Sequence, residues 1–273
     1  ADNINSYTDK LKIKVYHAGE LVPGLESLDA VRSGAAQASY GAPYYWTNLS
    51  DAIEFVATCP FGMNAMEQNA WCYYGGGIEE ADKIYNALGL KFLPMGNTGN
   101  QMGGWFNKEI NTPDDYKGLK MRMPGLGGRT IEKLGATPVL LAGPDVLPSL
   151  ASGAVDAAEW ICPAADLGAG LYQAAKFYYG PGWHEPSTLL DLSIDLNAWE
   201  SLDSATQGLV TNMTQSFNMT VFSRFQAING PALQKLVGEH GVTIKTFPDE
   251  VLIALGNAAG EVVSERGSIN SET

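Results

Sequence analysis

The chain has 273 residues, the length of one large or two ordinary domains. Hydrophobic residues make up 45% and charged residues 17%, which excludes a disordered chain, and no apolar run approaches the ~18 residues that span a bilayer. Seventeen basic against thirty acidic residues leave a net charge of -13, which repels a phosphate backbone and suits a secreted or periplasmic protein.

In chain order, Leu11 to His17 (LKIKVYH) alternates as a strand does, and Leu25 to Val31 reads as a helix after Gly24. Ala35 to Tyr40 is a second short strand. Ile78 to Leu88 has helical spacing and stops at Gly89, after which Leu90 to Met95 reads as a buried strand. Met102 to Phe106 is a strand, Thr112-Pro113 opens a helical turn, Leu119 to Met123 is a strand and Thr130 to Leu134 a helix. Thr137 to Leu141 and Asp156 to Trp160 are strands on either side of a helix, Pro144 to Leu150, that Gly153 closes. Leu189 to Leu196 alternates again. Two helices follow, Asp203 to Ile228 and Pro231 to His240, then a strand at Val242 to Phe247 and a helix from Asp249 to Glu265. Strands alternating with helices predict an α/β fold with largely parallel sheets. With no Pro/Ser-rich linker, the pattern fits two lobes joined by crossing strands and a long connecting helix: 1–96 plus 186–225 as one lobe, 97–185 plus 226–273 as the other.

The chain begins Ala1-Asp2-Asn3, with no basic and apolar export signal. Cys59, Cys72 and Cys162 form no CxxC pair; Cys59 and Cys72 could bridge, but small buried hydrophobes are the favoured reading. His17, His184 and His240 lie far apart, which disfavours a histidine zinc site. Gly125 to Thr130 (GLGGRT) lacks the spacing of either phosphate-loop motif, and there is no GxSxG elbow.

Two charged residues sit where strands are otherwise apolar. Arg122 in LKMRM is either an internal salt-bridge partner or a bidentate clamp for a carboxylate ligand. Glu159 in DAAEW, at the end of a predicted strand, could pair with Arg122, act as a base, or bind a hard cation. An anion entering so acidic a protein needs a local cation or metal. Gly96 to Phe106 (GNTGNQMGGWF) reads equally as a glycine-rich turn or as a backbone-lined ligand wall. Aromatics crowd Tyr40 to Trp46, Trp71 to Tyr74 and Phe177 to Trp183. The third of these stretches, interrupted by Gly and Pro, reads as a loop that presents rings to a ligand.

Taken together, AGELVP (18–23), NAWCYYGGG (69–77), GNTGNQMGGWF (96–106), GLKMRMPGLGG (118–128), SGAVDAAEW (152–160) and KFYYGPGW (176–183) resemble the solute-binding receptors of TRAP transporters, in the subgroup that binds 2-oxo acids. The resemblance implies a two-lobed periplasmic binding protein fold, closing on a small 2-oxo or 2-hydroxy monocarboxylate such as pyruvate or lactate. It implies delivery to TRAP membrane permease subunits, and a homodimer in some relatives. It assigns the carboxylate clamp to Arg122, and a metal, sodium with calcium as the alternative, to Gln101, Glu159 and Trp160. Tyr45 and Trp183 complete the expected ligand wall. The chain departs from the family where only Ala1 to Lys10 precede the first predicted strand, where the helical tail after Glu265 is short, and where Pro124 follows the clamp strand; the first two departures read as those of a fragment. The rival reading is a metal-assisted enzyme with Glu159 as base. A third is a ligand-sensing partner of a signalling receptor.

Overall fold

The structure, a computed structural model, describes residues 1–270. In chain order it contains α1 (Asp2–Tyr7), α2 (Ser27–Arg32), β1 (Ala38–Gly41), α3 (Ile53–Ala57), α4 (Ala65–Tyr74), α5 (Gly77–Ala87), β2 (Leu90–Asn97), β3 (Gly104–Phe106) and β4 (Lys120–Arg122). It continues with α6 (Gly125–Lys133), β5 (Thr137–Val139), α7 (Gly143–Ser152), β6 (Ala157–Ala158), α8 (Pro163–Ala169), β7 (Phe177–Gly180), β8 (Leu189–Asp195), α9 (Leu196–Glu200), α10 (Ser204–Gly238), β9 (Thr243–Thr246) and α11 (Asp249–Asn270). Local signals explain many boundaries. Asn64 and Glu67 close a reciprocal cap on α4, and Gly153 ends α7 in the left-handed region.

Two sheets organise the chain. The first has the order β1-β8-β2 and the second β5-β4-β6-β3-β7-β9. The expectation of largely parallel sheets is corrected. Both neighbours of β8 run antiparallel to it, and β3 runs antiparallel to β6 and β7, while β4 pairs parallel with β5 and β6 and β7 with β9. The antiparallel members adjoin the two crossings: the chain leaves β2 for β3 in the second sheet, and returns through 184–188 into β8. A strand arriving from another lobe is not bound by the βαβ crossover that keeps neighbours parallel.

One core, with Leu28, Val31, Trp46, Ile53, Tyr85 and Phe92, lies on the first sheet. A second holds Phe106, Tyr116, Met121, Ile131, Tyr179 and Phe247. Trp105, Val146, Leu150, Tyr178 and Leu236 form a third. Helix α10 joins the lobes, since Val210 packs with Leu93 and Ile194 of the first sheet while Leu236 lies in the third core. It runs unbroken through Pro231, where two helices are predicted. A proline interrupts only one turn of hydrogen bonding, and the residues on either side are held by burial in two different cores.

Two further expectations are corrected. Leu11 to His17 is not a strand. Alternation marks a two-sided segment, but a ladder needs a free neighbouring edge, and here the Asn5 side chain bonds both main-chain groups of Ile13, at 2.8 and 2.7 Å. Phe177 to Gly180 is strand β7 rather than loop, because its Gly and Pro terminate the aromatic run instead of interrupting it. The three cysteines are free, so no bridge joins Cys59 to Cys72, and burial pushes their thiols up to about 11, 12 and 11 in chain order. Among the described residues no helix is long and apolar enough to cross a membrane.

Candidate ligand and metal site between the lobes

Strands β4 and β6 pair in parallel, with Arg122 opposite Ala158, so Arg122 and Glu159 emerge together at the carboxyl ends of these two strands. Both are 1% exposed. Arg122 Nη1 donates to the Glu159 carboxylate in a very short contact and to the Glu159 carbonyl oxygen at 3.2 Å. Its Nη2 donates to the Tyr45 hydroxyl at 3.2 Å, and the guanidinium lies 5.2 Å from the Trp160 ring centre. Burial acts against the arginine's charge, but Glu159 and then Tyr45 outweigh it and hold the guanidinium above its ordinary value. The salt-bridge alternative for Arg122 is therefore realised, and one donor, buried Nε, is left without a partner.

Gln101 arrives from the other crossing. Its main chain is fixed by Gly182, whose N–H donates to the Gln101 carbonyl at 3.0 Å. A Cβ at Gly182 would lie 2.3 Å from that oxygen, so only glycine allows the approach. The two crossing segments also bond to each other, Thr98 N–H to Thr188 O at 3.0 Å and Gln101 N–H to Glu185 O at 3.3 Å. Gln101 Nε2 donates to Glu185 at 2.7 Å and to Thr188 Oγ1 at 3.0 Å, and Tyr44 donates to the same Glu185 oxygen at 3.3 Å.

Glu185 and His184 are the residues that sequence reasoning missed. They lie between Gly182 and Pro186, in a segment with no periodicity to mark them. Their only signal was two adjacent ionisable residues at a crossing between lobes. Glu185 is 2% exposed, and burial followed by the nearby Glu159 charge pushes its carboxyl up to about 7. Burial, and then Glu185, also raise the Tyr44 phenol well above its ordinary value. His184 is fully buried with Nε2 3.5 Å from Glu159 Oε2.

Trp160 is half-buried, its ring against Gly143, where a Cβ would come within 2.7 Å. Trp183 lies in the second core, with its ring stacked on Phe61 of the facing segment (centroids 5.9 Å apart, planes at 28°). The Phe61 N–H donates to the Trp183 carbonyl at 2.7 Å, from a residue held at φ 55°. Thus Arg122, Glu159, Trp160 and Tyr45 are brought together. Gln101 joins them through Glu185, and Trp183 stands one residue behind, beside His184.

The donor set fits a hard cation. Gln101 Oε1 and Glu159 Oε2 are buried acceptors without a hydrogen-bond donor. Glu159, His184 and Glu185 place one ligand atom each within 4.8 Å of one another. Carboxylate and amide oxygens suit sodium, calcium or magnesium rather than zinc or copper. By contrast, Asp166, another buried carboxyl, receives bonds on both oxygens, from Trp105, Tyr178 and the Ile161 N–H at 2.9, 2.7 and 3.0 Å.

The family profile of DctP, bacterial extracellular solute-binding protein family 7, matches residues 3–268. The chain belongs to the DctP family. It is 42% identical over 259 residues to a monocarboxylate 2-oxoacid-binding periplasmic protein of Nostoc sp. strain PCC 7120, covering 95% of this chain and 71% of that one. A TRAP transporter solute-binding protein from Bordetella bronchiseptica RB50, a mixed-occupancy dimer with calcium and picolinate in one active site and the other apo, superposes with a TM-score of 0.95 at 34% identity, over 98% of this chain and 80% of that one. A second TRAP solute-binding protein, from Pseudoalteromonas atlantica T6c with bound sodium and pyruvate, gives a TM-score of 0.88 at 40% identity, over 91% and 75%. DctP proteins are extracellular solute-binding receptors, which removes the enzyme alternative and with it Glu159 as a catalytic base.

Proposed function

We propose that this DctP-family chain is a periplasmic TRAP receptor that captures a small 2-oxo or 2-hydroxy monocarboxylate between its lobes and hands it to the membrane permease subunits. A homodimer, as in the Bordetella protein, is part of the proposal. One observation carries it. The residues linked by the Arg122–Glu159 and Gln101–Glu185 bonds, with Glu159 and Glu185 approaching within 4.8 Å, keep an unpartnered cationic donor, Arg122 Nε, and two unpartnered oxygen acceptors, Gln101 Oε1 and Glu159 Oε2. A carboxylate completes the first and a hard cation the other two.

In this reading Arg122 clamps the ligand carboxylate, and its remaining bonds to Glu159 and Tyr45 fix the plane of the guanidinium. Gln101, Glu159 and the Trp160 main chain hold the cation, with Glu185 close by. When bound, the cation would supply positive charge beside Glu159 and Glu185 and would favour an acid that can chelate it through a second oxygen at C2. That chelation would separate pyruvate and lactate from propionate. Tyr45, Trp160 and Trp183 wall the site from water. We place the lobe limits near 96/97, 185/186 and 225/226, so that closure turns on the crossing segments. Gln68, which accepts from Asn97 Nδ2 and from Ser187 Oγ at 2.8 Å each, ties the two crossings together.

The test is calorimetry with pyruvate, lactate and propionate, followed by NMR of the recovered ligand. The proposal expects tight binding of the first two, weak binding of propionate, unchanged ligand, and a smaller radius of gyration by scattering at saturation. Equal affinity for propionate, or conversion of pyruvate, would reject it.

A further inference from the structure

Glu54 lies on α3, in the first lobe, with its side chain fully buried, yet both groups that satisfy it come from the second lobe. Arg129 on α6 donates Nε to Oε2 at 3.2 Å, and Arg266 near the end of α11 donates Nε to Oε1 at 3.0 Å. Arg266 Nη2 also donates to Asp51, three residues before Glu54, in a very short contact. The neighbours of Glu54, Ile53 and Val56, are anchored in the first core. Ile131 of α6 and Val251 and Leu255 of α11 are anchored in the second. Lys133 of α6 bonds Glu265 of α11 at 2.6 Å and approaches Glu261 at 3.8 Å, so the helices that carry the two arginines are tied to each other.

A buried carboxylate between two guanidiniums is favourable only while both remain in place. Moving the lobes apart separates them in one motion, because both arginines ride on one lobe and both acids on the other. Among the described residues, no hydrogen bond or ion pair joins Glu54, Asp51 or Arg129 to the ligand cluster described above. We infer that Glu54, Asp51, Arg129 and Arg266 form an interlobe latch that holds the cleft closed and sets how fast a bound solute leaves. The timing of release rests on the proposed function; the hold on closure does not.

The experiment compares wild type with Arg266→Gln and Asp51→Asn, whose side chains are 15% and 46% exposed and lie outside the three cores, and with Glu54→Gln as a third variant. Pyruvate dissociation is followed by stopped-flow fluorescence, and the radius of gyration of ligand-free protein by scattering. The latch predicts release about tenfold faster in Arg266→Gln with association within about twofold of wild type, as expected for loss of charge-assisted bonds that act on the closed state. It also predicts a larger ligand-free radius in all three variants. Release and radius both unchanged in Arg266→Gln and Asp51→Asn would overturn the latch. Should wild type fail to bind pyruvate, the functional proposal fails, and the ligand-free radius still decides the latch.

Discussion

Replacing Arg122 by lysine keeps the charge and removes the fork. The guanidinium spends Nη1 on Glu159 and Nη2 on Tyr45, and keeps Nε for a ligand. An ammonium at the end of a flexible stem cannot meet Glu159, Tyr45 and a ligand carboxylate in one plane. At least one charge-assisted hydrogen bond to the ligand is lost, about 1.5 to 3 kcal/mol, which weakens binding by ~10- to 150-fold. Because the pair is 1% exposed on both sides, any mismatch with Glu159 also lowers stability. Thermal melting of ligand-free protein therefore accompanies the calorimetry, and pyruvate affinity is measured at a temperature where both proteins are folded. A dissociation constant within twofold of wild type would refute the clamp and leave Arg122 as the internal partner of Glu159 alone.

Asp191, fully buried in β8 and accepting from Ser193 Oγ at 2.5 Å, has its carboxyl pushed up to about 7 by burial. A folded value above the unfolded one near 3.8 means that the native state keeps a proton the unfolded chain has lost, so this stability is present below pH ~3.8 and is lost as pH rises to ~7. Asp191→Asn should gain on wild type across that window, by up to ~4 kcal/mol at pH 8; a difference in denaturation midpoint that does not change with pH contradicts this. Pro231→Ala should restore the missing main-chain hydrogen bond inside α10 and raise the melting temperature by a few degrees, about 1 kcal/mol for a chain of this size. A lower melting temperature would mean that the proline is favoured by its neighbours.

Where one local rule decided the structure, the sequence was readable. Ile78 to Leu88, Pro144 to Gly153 and Leu90 to Met95 fold as expected because their spacing and end residues agree with their burial. Arg122 and Glu159 stood out because a charge in an apolar strand needs a partner, and their pairing across two parallel strands follows from the fold. The misreadings share a cause in contacts made far along the chain. Nothing within Leu11 to His17 says that its main chain will bond to Asn5 instead of a sheet, and Pro231 breaks a helix only when no core lies on both sides of it. Glu185 escaped for the same reason: it meets Gln101 across 84 positions of sequence, in a crossing segment without periodicity. The latch residues Glu54 and Arg266 are 212 positions apart, so no local pattern pairs them.

The central claim is that a cation held by Gln101, Glu159 and the Trp160 main chain makes a 2-oxo acid bind beside these buried acidic groups. The most direct measurement exchanges the protein into buffer free of sodium and divalent metals, determines pyruvate affinity by calorimetry, and then restores sodium, calcium and magnesium one at a time. The account predicts that affinity collapses without a cation, returns with sodium or calcium, and is not rescued in Glu159→Gln. Full affinity in metal-free buffer, with Glu159→Gln binding as wild type does, would contradict it.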